Sequence, residues 1–201
     1  MEKASCNPAP LGLLGFGMTT ILLNLHNAMP ESIPLNSVIL AMGIFYGGIA
    51  QVIAGIMEFK KDNTFGFTAF ISYGFFWITL VGIWLLPAIF PGTAAAQGVA
   101  AVPGPAQAPS HMFMGYFLAT WGLFTAFMTV GAWKGNYTLR FIFASLTVLF
   151  AMLAIRDFAG LHGTAFAKLA GWEGLVCGAS AFYLAVAEVI NEKYGKTVLP
   201  V

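Results

Sequence analysis

Long apolar runs separated by short polar breaks fill almost the whole chain. Six of them stand out, Leu11 to Asn27, Val38 to Glu58, Phe65 to Phe90, Met112 to Trp133, Leu139 to Gly160 and Leu169 to Ile190. A bilayer's hydrocarbon core is about 30 Å thick, so a spanning helix needs roughly 20 mostly apolar residues, and each run meets that length. The pattern predicts an all-α integral membrane protein in which six transmembrane helices form a compact bundle, one domain over residues 1–201. The break from Pro91 to Ser110 differs from the others. It carries Pro91, Pro103, Pro105 and Pro109 and no charge, so it is expected to be an external loop rather than a seventh span. Read on its own, that loop is either a passive linker or a partial cover for an external vestibule. Composition narrows the picture further: with 59% hydrophobic and 8% charged residues, a water-soluble domain is excluded.

Basic residues set the orientation, because Lys and Arg in short loops stay on the cytoplasmic side. Lys3, Lys60, Lys61, Lys134, Arg140, Lys193 and Lys196 share one side of the predicted topology, whereas Arg156 and Lys168 lie on the other. Both termini are therefore expected to be cytoplasmic, in a multi-pass protein of the cell membrane. Met1 to Asn7 lacks the basic segment and cleavage site of a signal peptide, so processing is not expected. Cys6 falls on the cytoplasmic side and Cys177 inside the sixth span, which predicts no disulfide.

Small residues four apart, Gly43 with Gly47, Ala50 with Ala54 and Gly174 with Gly178, mark faces where helix backbones approach, either within a protomer or between protomers. No internal repeat is evident, which disfavours an inverted-repeat transporter. Glu58, Glu188, Arg156, Asp157 and Glu173 are placed near span ends, leaving the middles of the spans without ionisable groups. No metal-ligand cluster, nucleotide loop or paired nucleophile is visible. Enzyme activity, a cofactor, a bound metal and a nucleic-acid partner are all unexpected.

Uncharged polar groups beside aromatic rings carry what chemistry there is. Phe16, Thr20, Asn24 and Asn27 fall in one narrow stripe of a helix, lining either a polar path or a hydrogen-bonded seam. Tyr73, Phe76 and Trp77 share a face of the third span, and Phe143, Leu146 and Phe150 share one of the fifth; alone, such faces read as core packing. His26, His111 and His162 map to the outer side, where they are either ordinary interfacial residues or external pH sensors, and nothing in the sequence brings them together. Ahead of the first span, Asn7 reads as an N-cap with Pro8 at the first helical position. The free N–H groups there also offer an anion a docking point that needs no fixed cation.

At these residues the chain resembles a known family. The heptapeptide NPAPLGL from Asn7 is similar to the signature of the acetate uptake transporter family, the acetate/succinate transporter SatP/YaaH type. GFGMTTILLNLHNA from Gly15, AMGIFYGGIAQ from Ala41, NTFGFTAFISYGFFW from Asn63, SLTVLFAMLAI from Ser145 and GASAFYLA from Gly178 extend the likeness over essentially the whole chain. The resemblance implies a homo-oligomer, a hexameric ring in membrane lipid. Each protomer would carry its own pathway for acetate and related small carboxylates such as succinate or lactate. It further implies a hydrophobic constriction of Phe16, Tyr73 and Leu146; Asn7, Thr20, Asn24 and Trp77 are expected along the pathway. A bare carboxylate passing an apolar ring faces a large desolvation cost. Donors from Thr20, Asn24 and the Tyr73 hydroxyl are expected to replace its water, and any proton is expected to travel with the substrate. Two departures from the family pattern are the long loop and the Arg156–Asp157 pair, both outside the constriction. Two competing readings are an acid-gated urea or amide channel and a membrane anchor that transports nothing.

Overall fold

The computed structural model describes residues 6–89 and 108–201, so most of the external loop proposed for 91–110 lies outside the described residues. Among the described residues six helices are long and apolar enough to cross a membrane: α1 Ala9–Ala28, α2 Ser37–Phe59, α3 Thr64–Ile89, α4 His111–Ala132, α5 Tyr137–Phe158 and α6 Ala165–Tyr194. No strand occurs among the described residues. Each helix begins within four residues of the position that hydrophobicity alone suggests. The ends come instead from side chains that satisfy the first backbone N–H groups. Asn36 accepts from the Val38 N–H, Ser110 from Phe113, Asn136 from Leu139 and Thr164 from Ala167. At the other end of α6, Gly195 takes a left-handed conformation at φ 62°, the usual glycine termination.

α1 departs from the expected capping by one residue. The helix starts at Ala9, with Pro10 rather than Pro8 inside its first turn, and the Pro8 carbonyl accepts the Leu11 and Gly12 N–H groups. Asn7 still serves the helix start, its Oδ1 accepting from the Ala9 N–H at 3.3 Å.

α2 is not a uniform α-helix. Met42–Ala50 is wound as a π-helix between two α-helical stretches, a rare and wider winding often associated with functional sites. The widened turn is pressed closely by α1: the Thr19 hydroxyl donates to the Met42 carbonyl at 3.4 Å, and a Cβ on Gly15 would sit 2.6 Å from the Tyr46 carbonyl oxygen. Apolar periodicity over nine residues does not distinguish this winding from an α-helix, so the sequence carries no signal for it.

The glycine pairs seen in the sequence pack within the protomer. Gly43 faces Val81 on α3 and Gly47 faces Thr19 on α1, whereas Gly174 and Gly178 of α6 both face α1, against Asn24 and the Gly17 carbonyl. The α1–α6 contact is thereby nearly backbone to backbone. α4 lies at the periphery, packed chiefly on α5 and exposing Phe127 and Val130 at 71% and 73%. The core gathers aromatic and aliphatic side chains of α1, α3, α5 and α6 around Phe16, Tyr73, Trp77 and Leu146. Cys6 and Cys177 are both free, the first exposed and the second buried.

Candidate functional site

Among the described residues, cavities enter the bundle from each of its two ends. The one nearer the amino-terminal end of α1 has a volume of about 250 Å³, and the other, toward the α5–α6 connection, about 340 Å³. Phe16, Tyr73 and Leu146 are the side chains, among the described residues, that line both. They come from α1, α3 and α5 and are 7%, 3% and 4% exposed. The Phe16 and Tyr73 rings lie 6.2 Å apart between centroids. Tyr73 is held in an aromatic nest, edge-on to Phe124 at 5.5 Å and flanked by Trp121 and Phe143, an arrangement that favours one ring orientation. Its hydroxyl is not free. It donates to Thr125 Oγ1 at 2.9 Å, and Thr125 in turn donates to the Trp121 carbonyl at 2.7 Å. The expectation that Tyr73 supplies a donor to the path is corrected on this point: its proton is engaged by α4.

The polar stripe of α1 lines the 340 Å³ cavity. Asn24 and Asn27 satisfy each other and the backbone, Asn24 donating to the Thr20 carbonyl at 2.9 Å and accepting from Asn27 at 3.0 Å. The Thr20 hydroxyl and the Trp77 indole N–H, by contrast, are buried without a hydrogen-bond partner, and both residues line the cavity next to the waist. Buried donors normally find partners, so these two orphans, on residues that line the cavity, are unusual.

The 250 Å³ cavity carries charge that the sequence reading left at span ends. Asn7, placed on the pathway, sits at its rim: Nδ2 donates to Glu188 at 3.1 Å while Oδ1 accepts from Lys61 at 3.3 Å. Glu58 is 1% exposed, one carboxylate oxygen accepting from Asn63 at 2.6 Å and the other unpaired, and Gln51 nearby has an unpaired carbonyl oxygen. The idea of an anion docking point without a fixed cation is corrected, because Lys61 stands at the helix start, and Glu58 and Glu188 line the same cavity. Gln51, Glu58, Lys61 and Glu188 were missed as lining residues; their distances along the chain from Asn7 give no periodic clue.

Glu173 also corrects the sequence picture. Its carboxylate accepts from Ser145, the residue before Leu146, at 2.5 Å, well inside α5. α6 begins four residues earlier than its apolar run suggests, which carries Glu173 deeper into the bundle. The span middles are therefore not free of ionisable groups.

At the opposite rim two of the three histidines meet. His111, at the start of α4, and His162, between α5 and α6, lie 4.2 Å apart between ring centroids with their planes tilted by 39°. Both turn toward one carboxylate oxygen of buried Asp157, at 3.7 and 3.5 Å. The other Asp157 oxygen accepts both Nε and Nη2 of Arg156, at 3.1 and 2.6 Å. Burial, and then the Arg156 guanidinium, hold His162 below the ordinary imidazole range. His26 stands apart, its Nδ1 donating to the Ile33 carbonyl at 2.7 Å, although it lines the same cavity. A few residues away, exposed Glu31 pairs with Lys168 at 2.8 Å, and that bond lowers its pKa.

Comparison with known proteins places the whole chain in one family. The profile of the GPR1/FUN34/yaaH family matches residues 1–201. The chain is 56% identical over 195 residues to the succinate-acetate/proton symporter SatP of Escherichia coli K12, covering 97% of this chain and 94% of that protein. It is 31% identical to acetate permease A of Emericella nidulans, over 97% of this chain and 65% of the other. A solved structure of the bacterial acetate channel SatP superposes with a TM-score of 0.86 at 55% identity, covering 98% of this chain and 99% of that one.

Proposed function

Because this chain belongs to the GPR1/FUN34/yaaH family of multi-pass membrane proteins, we propose that it carries acetate and related small carboxylates across the cell membrane through a path within each protomer. The observation that carries this reading is the meeting of two opposed cavities at Phe16, Tyr73 and Leu146, with unpaired donors on Thr20 and Trp77 beside them. The names of its relatives, a succinate-acetate/proton symporter and an acetate channel, support the same substrate class.

The physical chemistry of such a path favours a substrate that crosses with its proton. An isolated carboxylate in an apolar ring lacks any countercharge, whereas the neutral acid loses far less hydration there. Thr20 and Trp77 replace part of the water lost by the acid's oxygens on one side of the waist. On the other side Glu58 and Glu188 repel a bare anion, and Lys61 offers the attraction that offsets them. Phe16 and Leu146 set the width, excluding bulky or strongly hydrated solutes. The protomers assemble as a hexameric ring in this reading, with both termini cytoplasmic.

Labelled acetate uptake into proteoliposomes, with the pH gradient imposed or collapsed and with succinate, lactate and urea as competitors, tests the proposal. Saturable uptake that falls when the gradient is collapsed and is competed by the acids is the expected result. Uptake of urea in excess of acetate, or no acetate uptake at all, would overturn it.

A further inference from the structure

The rim cluster of His111, Asp157 and His162 is not used by the path just described, and its donor atoms are of a kind and spacing that suit a metal ion. Nδ1 of His111, Nε2 of His162 and Oδ1 of Asp157 all lie within 4.8 Å of one another. The two nitrogen-to-oxygen separations, 3.7 and 3.5 Å, are longer than good hydrogen bonds. They approach the spacing of about 3.4 Å between ligands held at about 2.0–2.1 Å from a tetrahedral zinc ion. We propose that these three residues bind one late first-row divalent ion per protomer, Zn²⁺ foremost, and that an ion bound there obstructs the outer mouth of the path.

Several features of the surroundings fit that assignment. Arg156 grips the oxygen of Asp157 that points away from the rings, leaving the other oxygen fixed toward them. A hydrogen-bonded partner behind a ligating carboxylate is a common arrangement at metal centres. The Asp157 side chain is 1% exposed and rigidly placed, while His111 and His162 are 71% and 37% exposed and free to turn by the small rotation that closes the triangle. Asp157 also lies in the last turn of α5, where the helix carbonyls favour a cation and partly offset the guanidinium. Two imidazoles with one carboxylate suit zinc, copper or nickel, whereas magnesium and calcium require a richer oxygen set. Three protein ligands leave a fourth position open. Since the cluster lines the 340 Å³ cavity, that open position admits water or the carboxylate of a passing acid, which would be held rather than passed on. The obstruction rests on the transport reading; the binding does not.

Calorimetric titration of the full-length protein, freed of any histidine tag, with ZnCl₂ at neutral pH reads the site directly. One ion per protomer is expected, with His111→Ala and His162→Ala each weakening binding at least about tenfold. Thermal unfolding of the metal-free variants establishes that they are folded. Absence of stoichiometric binding, or a double variant that binds as tightly as the parent, overturns the site. The ratio of acetate uptake with and without external Zn²⁺ in proteoliposomes then reads the obstruction. A ratio below one, restored by a chelator and returned to one in the double variant, supports it, and an unchanged ratio in protein that binds zinc overturns it. If acetate uptake is absent with and without metal, the transport reading fails while a calorimetric site stands.

Discussion

One methylene group at Leu146 separates two widths of the proposed waist. Leu146→Val is expected to admit larger monocarboxylates, read as a rise in lactate competition against labelled acetate; an unchanged competition profile would remove Leu146 from the waist. Thr20 allows a sharper test, because its hydroxyl has no partner. An unsatisfied buried hydroxyl costs about 1–3 kcal/mol, so Thr20→Val should leave thermal stability equal or higher while acetate uptake falls by about tenfold, the equivalent of one lost hydrogen bond of about 1.4 kcal/mol. A variant that loses stability and uptake together would instead make Thr20 a structural residue. At this scale the sequence was readable where neighbours share a helix. The stripe of Phe16, Thr20, Asn24 and Asn27 follows from spacing alone and does face a cavity. Pairs between helices were opaque, such as Tyr73 with Thr125 or Ser145 with Glu173, since no local pattern encodes which rotation one helix adopts against another.

Among the elements, the near contact of α1 with α6 sets the geometry on which the stripe depends. A Cβ on Gly174 would lie 2.3 Å from Asn24 Cγ, whereas one on Gly82 of α3 would meet nothing within 4 Å. Gly174→Ala is therefore expected to destabilise by about 1–3 kcal/mol through overpacking. Gly82→Ala should be neutral or gain about 0.5–1 kcal/mol from the stiffer helix. Thermal unfolding of the purified variants compares the two, and equal shifts would argue against the tight α1–α6 seam. The existence and order of the six helices were legible because bilayer thickness fixes the length of an apolar run. Their starts depended on capping side chains two to five residues outside those runs. The π-helical stretch of α2 was invisible, as apolar periodicity over nine residues does not distinguish it from an α-helix.

For the whole molecule, Cys6 is a built-in reporter of topology, exposed at the amino-terminal end of α1 while Cys177 is buried. A membrane-impermeant maleimide should label Cys6 in inverted vesicles and not in intact cells; labelling in intact cells would reverse the proposed orientation. The six-helix architecture was read from hydrophobicity and the family from short motifs spread over the chain. The meeting of His111, Asp157 and His162 was not, because it joins the start of α4 to the end of α5 and the turn beyond it, two helices apart along the chain. The waist itself has a further consequence. In the transport reading proposed above, that barrier is one layer of side chains drawn from three helices, Phe16, Tyr73 and Leu146, so the displacement a passing solute demands is local to the layer and no rocking of helices has to precede each passage. Traffic through such a leaf-thin shutter should slow only gently in the cold, following the solute's own diffusion rather than the steep temperature law of a protein that must reshape itself.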